Sequence, residues 1–215
     1  MPSLRYEREL FARGFTRVVG VDEVGMASLA GPVVAAAVVV TPEVKLIRRV
    51  RDSKLLTRKE REDLVPLIRA RVTRVGIGAA SVREIDRLNI YHASHVAMQR
   101  ALRQLGEFDH VLVDGRRILD PAFVPGRHTE IVRGDAKSFA IAAASIVAKV
   151  TRDTLMARLS LRYPGYGWEH NAGYPTIDHR TAIRERGVTT IHRRDFGTVR
   201  ILLAAEQIEL ALAEV

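Results

Sequence analysis

The chain has 215 residues, 47% hydrophobic and 27% charged, enough to bury the core of one domain with a small appendage. Its formal charge of +9 favours a polyanionic partner, nucleic acid before membrane. The lack of cysteine excludes disulfides and thiolate metal sites, so any metal must be held by oxygen or imidazole. No window approaches the roughly 18 uncharged apolar residues of a membrane span, and residues 1–13 lack a signal-peptide core, so a cytoplasmic protein is expected. Lysine stands only at 45, 54, 59, 137 and 149. Arginine carries the rest of the positive charge, which suits bidentate phosphate contacts and also follows from a GC-rich genome.

Residues 4–13 predict a short helix with Leu4, Leu10 and Phe11 inward and Arg5, Glu7 and Arg8 outward. Residues 18–40 hold two apolar, β-branched runs joined by a short glycine-containing link, the pattern of a hairpin of buried strands. Asp22 and Glu23 close the first run, and no basic residue lies between Arg17 and Lys45. Desolvation and mutual repulsion would neutralise such a pair, so a metal ion or a distant arginine must hold it charged. Asp52-Ser53-Lys54 reads as an exposed loop. Thr57 and Glu60 form a capping box that opens a helix to about Arg71, which Pro66 should kink or interrupt. Residues 72–80 alternate poorly but predict a third strand.

A second capping box, Ser81 with Glu84, starts a short helix that gives way near Leu88 and Asn89. Residues 90–105 keep helical apolar spacing; His92 and His95 on this helix are three apart but lack a partner cluster in sequence. A short strand, 110–113, ends at Asp114-Gly115; 121–127 read as loop; 130–132 form a strand ending in Arg133-Gly134-Asp135. Residues 141–159 give the longest helix, lined by Ala142, Ala143, Ala144, Ser145 and Ala148, so it can approach a neighbour closely. Residues 163–176 are an aromatic loop, followed by a helix over 177–185, a polar segment 192–196 and a helix over 198–212.

Three strands thus end in carboxylates: Asp22 with Glu23, Asp114, and Asp135. If they are neighbours in one sheet, four acids gather at the edge where open α/β sheets bind ligands. Oxygen donors select a hard divalent cation, and two such ions would activate water and stabilise the leaving oxygen in phosphodiester hydrolysis. Each residue also has a plainer role. Asp135 is placed to cap the next helix, Asp114-Gly115 is a common turn, Tyr166, Trp168 and Tyr174 are packing residues, and Arg193 and Arg194 are solvated surface. Neither capping nor a turn accounts for the double acid at 22 and 23.

Taken together these residues resemble the bacterial ribonuclease HII family, the type 2 ribonucleases H. The motifs follow in order: Asp22-Glu23-Val24-Gly25 with Leu29-Ala30-Gly31-Pro32-Val33, Asp52-Ser53-Lys54-Leu55, Ile85-Asp86 with Leu88-Asn89-Ile90, and Val113-Asp114-Gly115. Then come Gly134-Asp135-Ala136-Lys137-Ser138, Ala143-Ala144-Ser145-Ile146 with Ala148-Lys149-Val150-Thr151-Arg152-Asp153, Gly173-Tyr174 and His192-Arg193-Arg194. The resemblance implies an α/β, ribonuclease H-like fold, a central mixed sheet flanked by helices, with a catalytic core over residues 1–160 and a small helical C-terminal part over 161–215. It implies that Asp22, Glu23, Asp114 and Asp135 bind Mn²⁺ or Mg²⁺. The reaction implied is cleavage of RNA in RNA–DNA hybrids, and of ribonucleotides embedded in duplex DNA, leaving 3′-hydroxyl and 5′-phosphate ends. Substrate contacts would come from Gly25, Met26, Ala27, Ser53, Lys54, Tyr174, Arg193 and Arg194, with Tyr174 near the sugar at the cut. A monomer is expected. Asp153 also matches a family acid, with Lys149 or Arg152 as structural partner, and stays outside the quartet.

Departures from the family pattern cluster on recognition. Gly25, Met26 and Ala27 stand where the family has glycine, arginine or lysine, then glycine, the trio that reads the 2′-hydroxyl; Ser28 replaces a proline. Asn171-Ala172 replaces a lysine found in many members, and Asp195 a serine. The expectation is intact metal chemistry with altered recognition of the DNA–RNA junction. The alternative is a catalytically weakened nucleic-acid-binding member of the same fold.

Overall fold

The hairpin expected over 18–40 is present in the computed structural model, which describes residues 1–115, 123 and 127–213, with side chains to 205. β1 (Val18–Val24) pairs antiparallel with β2 (Val33–Val40), and every residue of β2 is buried. Around them run α1 (Arg5–Ala12), α2 (Arg58–Arg71), β3 (Arg74–Ala80), α3 (Val82–Arg103), β4 (His110–Asp114), β5 (His128–Ile131) and α4 (Phe139–Arg162). The short α5 (Trp168–Asn171), α6 (Ile177–Arg186) and α7 (Gly197–Ala213) follow. The sheet has the order β3-β2-β1-β4-β5, with β1 parallel to β4 and β4 parallel to β5. It is therefore mixed, and the three acid-bearing strands are neighbours. The loop expected over 121–127 lies outside the described residues, Phe123 and Arg127 excepted.

The chain divides into two compact units. The first comprises Met1–Val24, Val34–Ala79 and Ser94–Thr151; the second comprises Gly25–Val33, Ala80–Ala93 and Arg152–Val215. In the first, the core joins β1 and β2 to Leu64 and Ile68 of α2 and to the small-residue face of α4. The close approach expected of that face has a partner: a Cβ built on Gly20 of β1 would collide with the backbone of Ala140 and Ile141. Gly20→Val is expected to destabilise the protein by about 3 kcal/mol or more, read as a fall in urea midpoint, because two backbones rather than a pliable side chain would have to part.

Glu7, expected outward, is fully buried. Its carboxylate accepts from Ser138 Oγ at 2.6 Å and Ala140 N at 2.9 Å, serving two donors at the start of α4. Ser138 Oγ accepts from Ile141 N at 3.2 Å, so Ser138, and not Asp135, caps this helix, which begins at Phe139 rather than 141. The poor alternation of β3 also has a cause. Gly76 and Gly78 lie against the backbone carbonyls of Ala101 and Ala97, so the face that meets α3 carries hydrogen where a periodic pattern would carry side chains. α2 runs through Pro66 uninterrupted, with the expected capping box between Thr57 and Glu60. α3 breaks at Asn89 (φ 65°), whose side chain accepts from Tyr91 N and His92 N, as the sequence suggested. In the second unit, buried Tyr166 and Trp168 stack at 5.3 Å over Met156, Ile183 and Val199, the packing role expected of them.

Candidate active site

Register fixes the first two parts of the site. Val21 of β1 is level with Val113 of β4, so the next residues, Asp22 and Asp114, follow side by side where the pairing of these parallel strands ends, Asp22 still paired with Ala36 of β2. Asp114 is level with Ile131 of β5, after which Arg133 takes a left-handed turn (φ 58°) and returns Gly134 N to donate to Asp114 Oδ1 at 2.6 Å. That turn delivers Asp135, buried at 5% exposure, into a 3₁₀ turn. Lys54 reaches it from the 3₁₀ turn Ser53–Leu55, with Nζ 3.5 Å from Asp135 Oδ2.

All of these groups belong to the first unit. Burial, then the charges of Glu23 and Asp114, raise the Asp22 pKa well above the carboxylate range, against a hydrogen bond from Ser145. Burial and Asp114 push Glu23 up to about 7. Burial and Asp135 raise Asp114. Burial alone would lower Lys54, but Asp135, Asp52 and Asp22 hold it above its ordinary value. Four carboxyl groups thus crowd about one ammonium and resist ionising together, and among the described residues Glu23 Oε2 is buried without a hydrogen-bond partner. In this arrangement Asp22 Oδ1 is turned to Glu23 N at 2.8 Å and Asp114 Oδ1 to Gly134 N. Among the described residues no three His, Asp or Glu side chains stand together as a ready ligand set for one ion. The all-oxygen donor set, the crowded carboxyl groups and the orphaned Glu23 oxygen fit a hard divalent cation.

Ser53 corrects the expectation of an exposed loop: it is 4% exposed, and its Oγ lies 3.0 Å from Ser145 Oγ. With the Ser145 proton directed at Asp22, Ser53 is the donor in that pair. Ser53 therefore supports Asp22 through Ser145, while Lys54 keeps an exposed side chain.

The other expected contacts lie in the second unit. Gly25 (φ +97°) has no room for a Cβ against the Arg152 side chain, Met26 is half-buried, and Ala27 is exposed. Arg193, expected as solvated surface or as a substrate contact, is instead fully buried. Its Nε and Nη1 donate to Gly31 O and Met26 O, both at 3.0 Å, so it grips this loop from within. Arg194 is exposed, and its backbone N donates to Asp86 Oδ1. Arg152, expected only as a structural partner for Asp153, is also fully buried. It donates to Pro32 O, Ala172 O and Ala30 O at 2.9, 2.8 and 3.0 Å, and its guanidinium stands 5.5 Å from the half-buried Tyr174 ring. Arg152 thus ties residues 30–32 to the segment that carries Tyr174, while Arg193 holds residues 26–31 from within. Asn171 fixes that segment locally, bonding Tyr166 O and Gly173 N. Behind it Trp168 Nε1 donates to His179 Nε2 at 2.9 Å, which leaves His179 Nδ1 to donate to Tyr174 O. Burial holds His179 and His192 below the usual histidine range, His192 at about 4.

Comparison with known proteins bears on this geometry. A family model described as ribonuclease HII matches residues 19–199. A ribonuclease HII of Thermosynechococcus vestitus is 49% identical over 204 residues, covering 95% of this chain and 94% of the relative. Among solved structures, the ribonuclease H2 of Pyrococcus horikoshii superposes with a TM-score of 0.74 at 25% identity, covering 89% of this chain and 99% of that one. A Bst-RNase HIII in complex with Mn²⁺ has the same fold, with a TM-score of 0.67 at 21% identity over 88% of this chain and 70% of its own.

Proposed function

The chain belongs to the ribonuclease HII family and is a ribonuclease H that cuts the RNA strand of RNA–DNA hybrids, and from that premise we propose that it works through two divalent ions, Mn²⁺ or Mg²⁺, held by Asp22, Glu23, Asp114 and Asp135. The observation that carries this reading is the buried excess of carboxylate at the ends of β1, β4 and β5, with one Glu23 oxygen unpartnered. Ions bound there would supply an activated water and stabilise the leaving oxygen. Asp22 is oriented for such a role by Ser145 and by Glu23 N, Asp114 by Gly134 N. Lys54 stays protonated beside Asp135 and offers its ammonium to the phosphate that enters. Breaking the bond from phosphorus to the 3′ oxygen leaves a 3′-hydroxyl and a 5′-phosphate. Manganese-supported cleavage of a hybrid, with Asp114→Asn as the inactive control, tests the assignment; full activity in Asp114→Asn would overturn it.

We also propose that the enzyme nicks duplex DNA at embedded ribonucleotides, less well than it cuts RNA tracts. Gly25 keeps the glycine conformation that its place against Arg152 requires, but Met26 offers no cation and Ala27 carries a Cβ on an exposed loop. Met26→Arg with Ala27→Gly is expected to raise kcat/KM on a single embedded ribonucleotide about tenfold relative to an RNA tract, the gain of one charge-assisted phosphate contact. Equal kcat/KM for the two substrates in the wild-type protein would remove the case for altered recognition.

A further inference from the structure

Residues 45–54 of the first unit carry Lys45, Arg48, Arg49, Arg51 and Lys54. Arg48, Arg49 and Arg51, with Met1, Leu56 and Glu60, line a shallow cleft of about 240 Å³. Three guanidinium groups there face one carboxylate. Arg51 Nη2 is 3.5 Å from Glu60 Oε1, and Glu60 is also bonded to the cap of α2 through Thr57. Arg48 and Arg49 are exposed and make no hydrogen bond or ion pair among the described residues. The backbone beneath them is anchored, however. Val50 is 2% exposed and donates its N–H to Ile47 O, and Arg61 Nη1 donates to Ser53 O and Leu56 O. The charges are therefore carried on a fixed segment, in the planar fork geometry that matches phosphate.

The segment also leads to the acids. Arg51 and Arg48 precede Lys54 by three and six residues, so their Cα atoms lie within about 11 and 21 Å of it. Lys54 itself touches Asp135. A duplex presents one phosphate per about 3.4 Å of axis on each strand, so the cleft falls within roughly six base pairs of the cut. We propose that the Arg48–Arg49–Arg51 cleft seats the sugar-phosphate backbone of the duplex on one side of the cleavage site, extending the footprint beyond the acids. This rests on the hybrid-cleaving reading for the identity of the polyanion.

The test is equilibrium binding of an RNA–DNA hybrid of about two helical turns, in EDTA, to wild type and to Arg48→Gln with Arg49→Gln, across a salt series. Two lost phosphate contacts should lower the slope of log affinity against log salt by about 1.8, so that from about 50 to 200 mM salt wild type loses about twelvefold more affinity than the variant. In cleavage assays KM should rise in the variant while kcat stays within about twofold, since neither residue touches the acids. Hybrids shortened on one arm only should bind both proteins alike. An unchanged slope in a variant with wild-type melting temperature overturns the proposal, whatever wild type cuts. So does loss of inorganic phosphate protection without a slope change, which would leave a small-anion site. A reduced slope in a protein that cuts no hybrid would keep the cleft and overturn the activity instead.

Discussion

Asp22→Asn is expected to abolish metal-supported cleavage, by about a thousandfold or more, while raising the melting temperature of the metal-free protein. The two effects come from one cause. Asp22 is 6% exposed, and burial first, then the charges of Glu23 and Asp114, raise its pKa well above the ordinary range. Glu23 sits at about 7, chiefly through burial. A folded pKa above the unfolded one means that the folded chain binds more protons between the two values. The resulting stabilisation is whole below about pH 4 and is lost as pH rises through the folded pKa. At neutral pH the cluster therefore opposes folding, because each such carboxyl must either take up a proton or bury its charge, at a cost on the order of 2 kcal/mol.

Asparagine keeps the shape and the acceptor that Glu23 N uses at 2.8 Å, offers an amide donor toward Ser145, and deletes the charge. A rise of about 5 °C is expected for a chain of this size. Mn²⁺ should raise the melting temperature of wild type, since it binds the folded state, and should leave Asp22→Asn nearly unmoved. Calorimetry in EDTA near pH 5 and pH 8 checks the sign: the gap between variant and wild type should widen at the higher pH. A variant that melts below wild type in EDTA at pH 8 would show that the carboxylate is satisfied where it stands and needs no cation.

The acids were legible in the sequence because each ends an apolar run, and parallel neighbours bring such ends together. The order β1-β4-β5 supplied the one condition that periodicity could not, namely adjacency. What the pattern hid was polar burial. Glu7 sits in a charged stretch and reads as surface, yet it is fully buried because the start of α4 needs an acceptor. Ser53 reads as loop because its partner, Ser145, is 92 residues away. Gly76 and Gly78 weaken the alternation of β3 because contact there is made with backbone. Arg193 follows a histidine and precedes an arginine, the look of a solvated face, and is instead enclosed. In each case the deciding partner is remote in sequence, and local composition carries no trace of it.

Arg152 is the strongest instance, and Arg152→Ala is expected to destabilise the protein by about 4 kcal/mol, lowering its melting temperature by about 10 °C. Three buried carbonyls, of Ala30, Pro32 and Ala172, would lose a charged donor at 2.8 to 3.0 Å. Removing a desolvated charge offsets part of this. Arg193, held at about 9 by burial and then by the charge of Arg152, would be relieved of that repulsion. The offset is the smaller effect, because one like-charge interaction is exchanged for three unsatisfied acceptors. Arg152→Lys separates charge from geometry: an ammonium on a flexible stem keeps the charge but cannot reach three carbonyls spread across a planar fork, so it should recover less than half of the loss. Since residues 30–32 and the segment that carries Tyr174 are held by this side chain whereas the four acids belong to the other unit, Mn²⁺ should stabilise Arg152→Lys as much as wild type. Discrimination between an embedded ribonucleotide and an RNA tract should collapse in the same protein. If Arg152→Lys melts within about 2 °C of wild type and keeps that discrimination, the loop is held by its own turns and by Arg193, and the guanidinium at 152 is dispensable.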